Sequence, residues 1–102
     1  LAEIGLAQCE LMIRISTLNP ARTIKTANEK PESLQDQMMA ADIEVAQGLY
    51  RQAFDRLISA MKRYSGDEKT KAKEHLLTLF KLVDPRHPDL IQARKELASA
   101  LF

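Results

Sequence analysis

The sequence predicts an all-α protein built from antiparallel helical hairpins, five to six helices joined by short turns. Three observations carry that expectation. Apolar residues recur at steps of three and four along most of the chain, the spacing that gathers side chains on one face of a helix. No segment alternates with the period of two that a half-buried strand requires. Only three glycines and four prolines are present, which leaves little room for the many turns of a β-protein.

The elements follow in order. Leu1 to Ser16 sets Ile4, Ala7, Leu11 and Ile15, with Leu18 beyond, on one stripe, so a helix with one buried side is expected. Gly5 inside it costs about 1 kcal/mol relative to Ala, which is tolerable where a neighbouring backbone comes close. Cys9 lies off the stripe, and without a basic neighbour or a second cysteine it reads as a small packing residue. Asn19-Pro20 marks the next start: Asn caps free backbone N–H groups, and Pro at the first helical position loses nothing. This short helix, with Ala21, Ile24 and Ala27 inward, ends at Lys30-Pro31, because the residue before proline disfavours the helical conformation.

Ser33, followed three residues later by Asp36, is a variant of the capping box and opens a helix whose shared face is Leu34, Met38, Ala41 and Val45. Gly48 interrupts it, since glycine tolerates the left-handed conformation of a helix end. The following helix carries Ala53, Phe54, Leu57, Ile58, Met61 and Tyr64, and Gly66 is expected to stop it. Asp67 is placed to cap the next helix, whose buried side is Ala72, Leu76, Leu79, Phe80 and Val83. Lys69, Lys71 and Lys73 spread around that helix as solvated surface, and His75 borders the buried face in a structural role. Asp84-Pro85-Arg86-His87-Pro88 cannot continue a helix. The last helix, Asp89 to Phe102, is expected to bury Leu90, Ile91, Leu97, Ala98 and Leu101. It ends on apolar Leu101 and Phe102, where chain ends are usually polar and frayed.

Composition narrows the function classes. With 102 residues, 45% hydrophobic and 28% charged, the chain supports one folded domain. A net charge of +1 argues against a general polyanion binder. Arg51, Arg56, Lys62 and Arg63 share one helix, but its other face is packed and no basic neighbour extends the footprint, so no nucleic-acid partner is expected. A single cysteine excludes an internal disulfide framework and fits a reducing compartment. No apolar run approaches the ~20 residues that span a bilayer, so no membrane partner is expected. The start at Leu1, inside a helical pattern, suggests a piece of something longer.

No chemistry emerges from the residues. His75, His87 and Cys9 show no metal-ligand spacing, and the scattered glycines form no phosphate loop. The carboxylate pairs Glu3–Glu10 and Asp42–Glu44 read as helix surface that aids solubility. The expectation is therefore no catalytic residue, no cofactor, no metal, and no enzymatic activity. A protein-interaction module is what remains.

The hairpin from Pro31 to Gly66 gives that module an identity. Ala41 in its first helix faces Ala53 and Ala60 in its second, and close approach lets Leu57 fill the gap between them. The pattern Ala41, Gly48, Tyr50, Ala53, Leu57 and Ala60 resembles a tetratricopeptide repeat, a helix–turn–helix unit of about 34 residues. Gln37 stands where that family has an aromatic, and Ser65 where it has a proline. An ordinary antiparallel helical hairpin would carry much of the same pattern. Three units are expected: a first hairpin over 1–31, the tetratricopeptide-like hairpin over 32–66, and a C-terminal hairpin over 67–102.

Gly48, Ala53 with Leu57, Gly66-Asp67, the helix from Glu74 to Phe80, and Ala93-Arg94-Lys95 with Leu97-Ala98 and Leu101-Phe102 follow in a fixed order. In this order and spacing, with Ile4 to Leu11 before them, they resemble the C-terminal segment of the YbbN-type thioredoxin-like co-chaperones, or chaperedoxins, in their shorter actinobacterial-looking form. The resemblance implies a cytoplasmic bacterial protein with a thioredoxin domain upstream of this chain and tetratricopeptide-like repeats within it. It implies a holdase that binds unfolded client proteins and passes them to the chaperonin. Any role in cell redox homeostasis would belong to the thioredoxin domain. In the family the last helix is implicated in docking on the chaperonin, which here singles out Arg94, Leu97, Ala98, Leu101 and Phe102. The alternative is a generic repeat scaffold for self-association or another partner, with Tyr50, Met38 and Met39 as contacts.

Overall fold

The computed structural model describes residues 10–101. Helical residues 10–15 (α1) lead into α2 (Pro20–Glu29), α3 (Leu34–Ala46), α4 (Tyr50–Arg63), α5 (Gly66–Phe80) and α6 (Pro88–Ala100). Every regular element among the described residues is a helix. Ile4, Gly5, Ala7, Cys9 and Phe102 lie outside the described residues.

Several helix ends are set by residues that the sequence places there. Asn19 Oδ1 accepts the backbone N–H of Arg22 at 3.0 Å, with Pro20 opening α2. Ser33 Oγ accepts from the Asp36 N–H at the start of α3. At the other end of α3, Gly48 takes φ +80. Its N–H bonds to the Val45 carbonyl at 3.0 Å, while the Leu49 N–H bonds to the Glu44 carbonyl at 2.8 Å. This nested pair satisfies the carbonyls that a helix end would otherwise leave free.

Gly66 differs from expectation. Helix α4 already ends at Arg63, and Tyr64 and Ser65 are extended. Gly66, at φ +63, opens α5 instead of closing α4. Asp67 is therefore not the cap; with Glu68 it sits in the first turn of α5, where carboxylates complement the helix dipole.

Helices α3 and α4 form the centre of the fold, and α3 is covered on most of its surface. It packs on α2, α4 and α5, and from Ala40 to Val45 every residue is buried. Ala41, Ala53 and Leu57 are wholly buried and Ala60 nearly so, in one cluster that continues through Phe54, Met61, Leu76, Leu79 and Leu90. The ring of Phe54 meets Phe80 edge-on at 5.0 Å, which locks α4 to α5. Leu34, Met38 and Tyr64 are half-buried at the margin of this cluster.

Three groups of residues depart from the sequence reading. Asp42 and Glu44 are only 4% exposed, so they are core residues and not a surface pair. Helix α3 packs on α2, α4 and α5, and Gln37, Asp42 and Glu44 meet partners from other elements. On α6, Ala93 is buried, while Ile91, Ala98 and Leu101 are exposed. The cause is that α6 leans on α4 and lies away from α5, which rotates the buried stripe to Leu90, Ala93 and Leu97. On α2, Ala27 is buried and Ile24 half-buried, but Ala21 faces solvent.

Candidate functional site

The break after α5 sets the position of α6. Asp84 Oδ1 accepts from the Arg86 N–H at 2.8 Å, and the Asp84 carbonyl accepts from the His87 N–H at 2.9 Å, which folds the loop on itself. His87 Nδ1 then accepts from the Asp89 N–H at 3.1 Å and so caps α6, which begins at Pro88. The same imidazole stands edge-on to Tyr50 at 5.1 Å, pinning the loop to the start of α4. Arg51 of α4 donates to both Asp55 and Glu96, adding an ionic tie between α4 and α6. The bond from Arg51 holds the Glu96 carboxyl below its ordinary pKa.

Because α6 is held on α4, an open groove of about 670 Å³ remains between α5 and α6. Its floor and walls are Leu77, Phe80, Val83, Pro85, Leu97, Ala98 and Leu101, with Lys81 and Arg94 among them and no carboxylate. Leu77 and Leu101 are 40% and 44% exposed, unusual for leucines on helices whose other faces are packed. Arg94, Leu97, Ala98 and Leu101 thus line one groove, with Leu97 mostly buried and the other three exposed. Nothing in the sequence marks Leu77 and Lys81 as binding residues by themselves. An apolar residue off the α5 stripe was the available signal.

A smaller concavity of about 340 Å³ is lined by Arg14, Leu18, Gln35, Met38, Met39, Asp42 and His75. At its base Asp42 accepts from His75 Nε2 at 2.7 Å and from Arg14 Nε and Nη2 at 3.0 and 3.1 Å. Burial alone would raise the Asp42 pKa, but the bonds from His75 and Arg14, with their charges, bring it below its ordinary value. This is a structural clasp joining α1, α3 and α5. Among the described residues no group of three or more His, Cys, Asp or Glu side chains is placed to hold a metal ion. No described helix is long and apolar enough to cross a membrane.

A second polar cluster ties α2, α3 and α4. Arg56 grips Glu44 with two bonds of 2.8 and 3.2 Å and also donates to Gln37 and Asn28. The Gln37 amide in turn donates to the Ala27 and Lys30 carbonyls at 2.8 and 3.1 Å. Arg51 and Arg56, two of the four basic residues on α4, are therefore engaged within the fold.

Paired helices stacked side by side, with alanines at the crossing of α3 and α4, are the geometry of a repeat array. A family model described as tetratricopeptide repeat matches residues 16–102. The chain belongs to the tetratricopeptide-repeat family. A tetratricopeptide array is a scaffold for protein partners, so the groove is a candidate docking surface. The chain is also similar to uncharacterized proteins of Mycobacterium bovis and Mycobacterium tuberculosis, at 33% identity over 101 residues. That alignment takes in 99% of this chain but 33% of each relative, so the tetratricopeptide chain spans about a third of their length. No solved structure matches it significantly.

Proposed function

We propose that this tetratricopeptide chain is the protein-binding part of a thioredoxin-like co-chaperone, which holds unfolded clients and docks on the chaperonin through its C-terminal end. One observation carries the reading: Arg94, Leu97, Ala98 and Leu101, the described residues that the chaperedoxin resemblance marks for docking, line a single open apolar groove. An exposed apolar surface of this kind suits unfolded chains, whose own apolar residues are uncovered. The length of the mycobacterial relatives beyond the matched third leaves space for a further domain, in keeping with a thioredoxin fold upstream. The protein works in the cytoplasm, where the chaperonin is. Redox chemistry belongs to the upstream domain and to no residue of this chain. The three helical units proposed, over 1–31, 32–66 and 67–102, act as one platform, with Ala41, Gly48, Ala53, Leu57 and Ala60 setting the packing of the middle unit.

The test is capture of purified chaperonin on the immobilised chain. Leu101→Asp with Ala98→Glu places charge at two exposed positions of the groove and should abolish capture while far-UV circular dichroism stays unchanged. Removal of residues 98–102 should act in the same direction. Undiminished capture by both variants overturns the docking site. The alternative of self-association through Tyr50, Met38 and Met39 has less to draw on. Tyr50 is engaged with Phe54 and His87, and both methionines are half-buried.

A further inference from the structure

We infer that the groove between α5 and α6 receives one amphipathic helix of a partner protein whose apolar stripe is flanked by carboxylates. This rests on the proposed role of the same groove in docking and names the chemistry of what docks.

The chain contains its own precedent. Helix α5 lies against both α3 and α4 and buries Ala72, Leu76 and Leu79 there. Its first turn carries Asp67 and Glu68 beside that apolar stripe. The groove between α5 and α6 is likewise bordered by two helices, although these two stand apart, and no helix fills it among the described residues. Arg94 to Leu101 covers two turns of α6, which sets the matching stretch of the partner at about two to three turns.

Charge decides the chemistry of the occupant. Lys81 stands on the α5 side and Arg94 on the α6 side of an otherwise apolar lining, and neither pairs with a carboxylate among the described residues. Asp84 is already committed to Arg86 and Glu96 to Arg51. A helix with glutamates or aspartates beside its leucines satisfies both cations and the apolar floor together. A second copy of this chain does not. A twofold pair would set Lys81 and Arg94 against the same two cations of the other molecule.

The experiment uses the full chain and two synthetic helical peptides of 16 residues. Both carry one leucine stripe; one has glutamates beside it and its twin has lysines. Fluorescence anisotropy should show saturable binding of the glutamate peptide, weakened by salt, and little binding of the lysine twin. The exposed substitutions Lys81→Glu with Arg94→Glu should weaken the glutamate peptide about tenfold or more and admit the lysine twin. Equal binding of both peptides, or of neither, overturns the inference. So does a dimer in light scattering that Leu101→Asp returns to monomer, because the occupant would then be a second copy. If chaperonin capture survives while the glutamate peptide fails, the docking reading stands and this inference falls. If Leu101→Asp abolishes peptide binding but leaves capture intact, the reverse holds.

Discussion

Arg56→Met tests whether the polar cluster inside the fold is a structural necessity. The Arg56 and Glu44 side chains are 13% and 5% exposed, joined by bonds of 2.8 and 3.2 Å. Met retains most of the aliphatic stem, so the change removes the guanidinium with little loss of packing. It leaves the Glu44 carboxylate without a counter-charge and the Gln37 carbonyl without the donor now at 2.9 Å. Breaking one side of a buried pair costs about 3–5 kcal/mol. A concavity of about 390 Å³ adjoins Gln37, Glu44 and Arg56, wide enough to let water reach an unpaired carboxylate, so the lower end, about 3 kcal/mol, is expected. Against a total of about 5–15 kcal/mol for a domain of this size, that is a large fraction. The melting temperature should fall by at least about 12 °C. Arg56→Lys keeps the charge but cannot reach acceptors on three side chains at once, and should cost about 1–2 kcal/mol. Urea unfolding followed by circular dichroism at pH 7 reads each value. Replacing both partners, Arg56→Met with Glu44→Leu, should recover most of the loss. A single-variant loss below about 1 kcal/mol, or a double variant worse than the single, refutes the assignment of a buried ion pair.

Two further outcomes follow from other parts of the fold. The native Asp42 carboxyl holds its proton less readily than in the unfolded chain, so its clasp with His75 and Arg14 stabilises fully above about pH 4 and fades on acidification below it. Asp42→Asn should lower stability at pH 7 and flatten that acid limb, and an unchanged acid limb in urea titrations would sink the claim. At Gly48 an added Cβ meets open space, but φ is +80, so Gly48→Ala should cost about 1–2 kcal/mol from backbone strain alone. Gly48→Asn should cost less, and equal thermal melts for the glycine and alanine forms would contradict the strain.

The helical architecture was legible because each helix carries its own period and most of its own punctuation. Asn19, Ser33 and Gly48 act within three or four residues of where they stand, so a local reading finds them. Asp42 and Glu44 were misread for the opposite reason. Their partners, Arg14, His75 and Arg56, lie 28, 33 and 12 residues away, and no local pattern separates a carboxylate facing water from one facing a distant guanidinium. The groove was half legible. Apolar Leu101 near the chain end marked the surface, but the lean of α6 onto α4, which turns Ile91, Ala98 and Leu101 outward, depends on the Arg51–Glu96 tie and the His87–Tyr50 contact. Both are tertiary.

Gln37 occupies the place where an aromatic ring would fill the space by shape alone. A ring can rotate or shift by a fraction of its width and still fit, whereas an amide bonded to the Ala27 and Lys30 carbonyls and to Arg56 has only one alignment that satisfies all three. Sliding α2 by a single turn would strand two acceptors and a donor together. At this point the chain has exchanged tolerance for register, and the N-terminal half is keyed to the rest as a lock is to its bit.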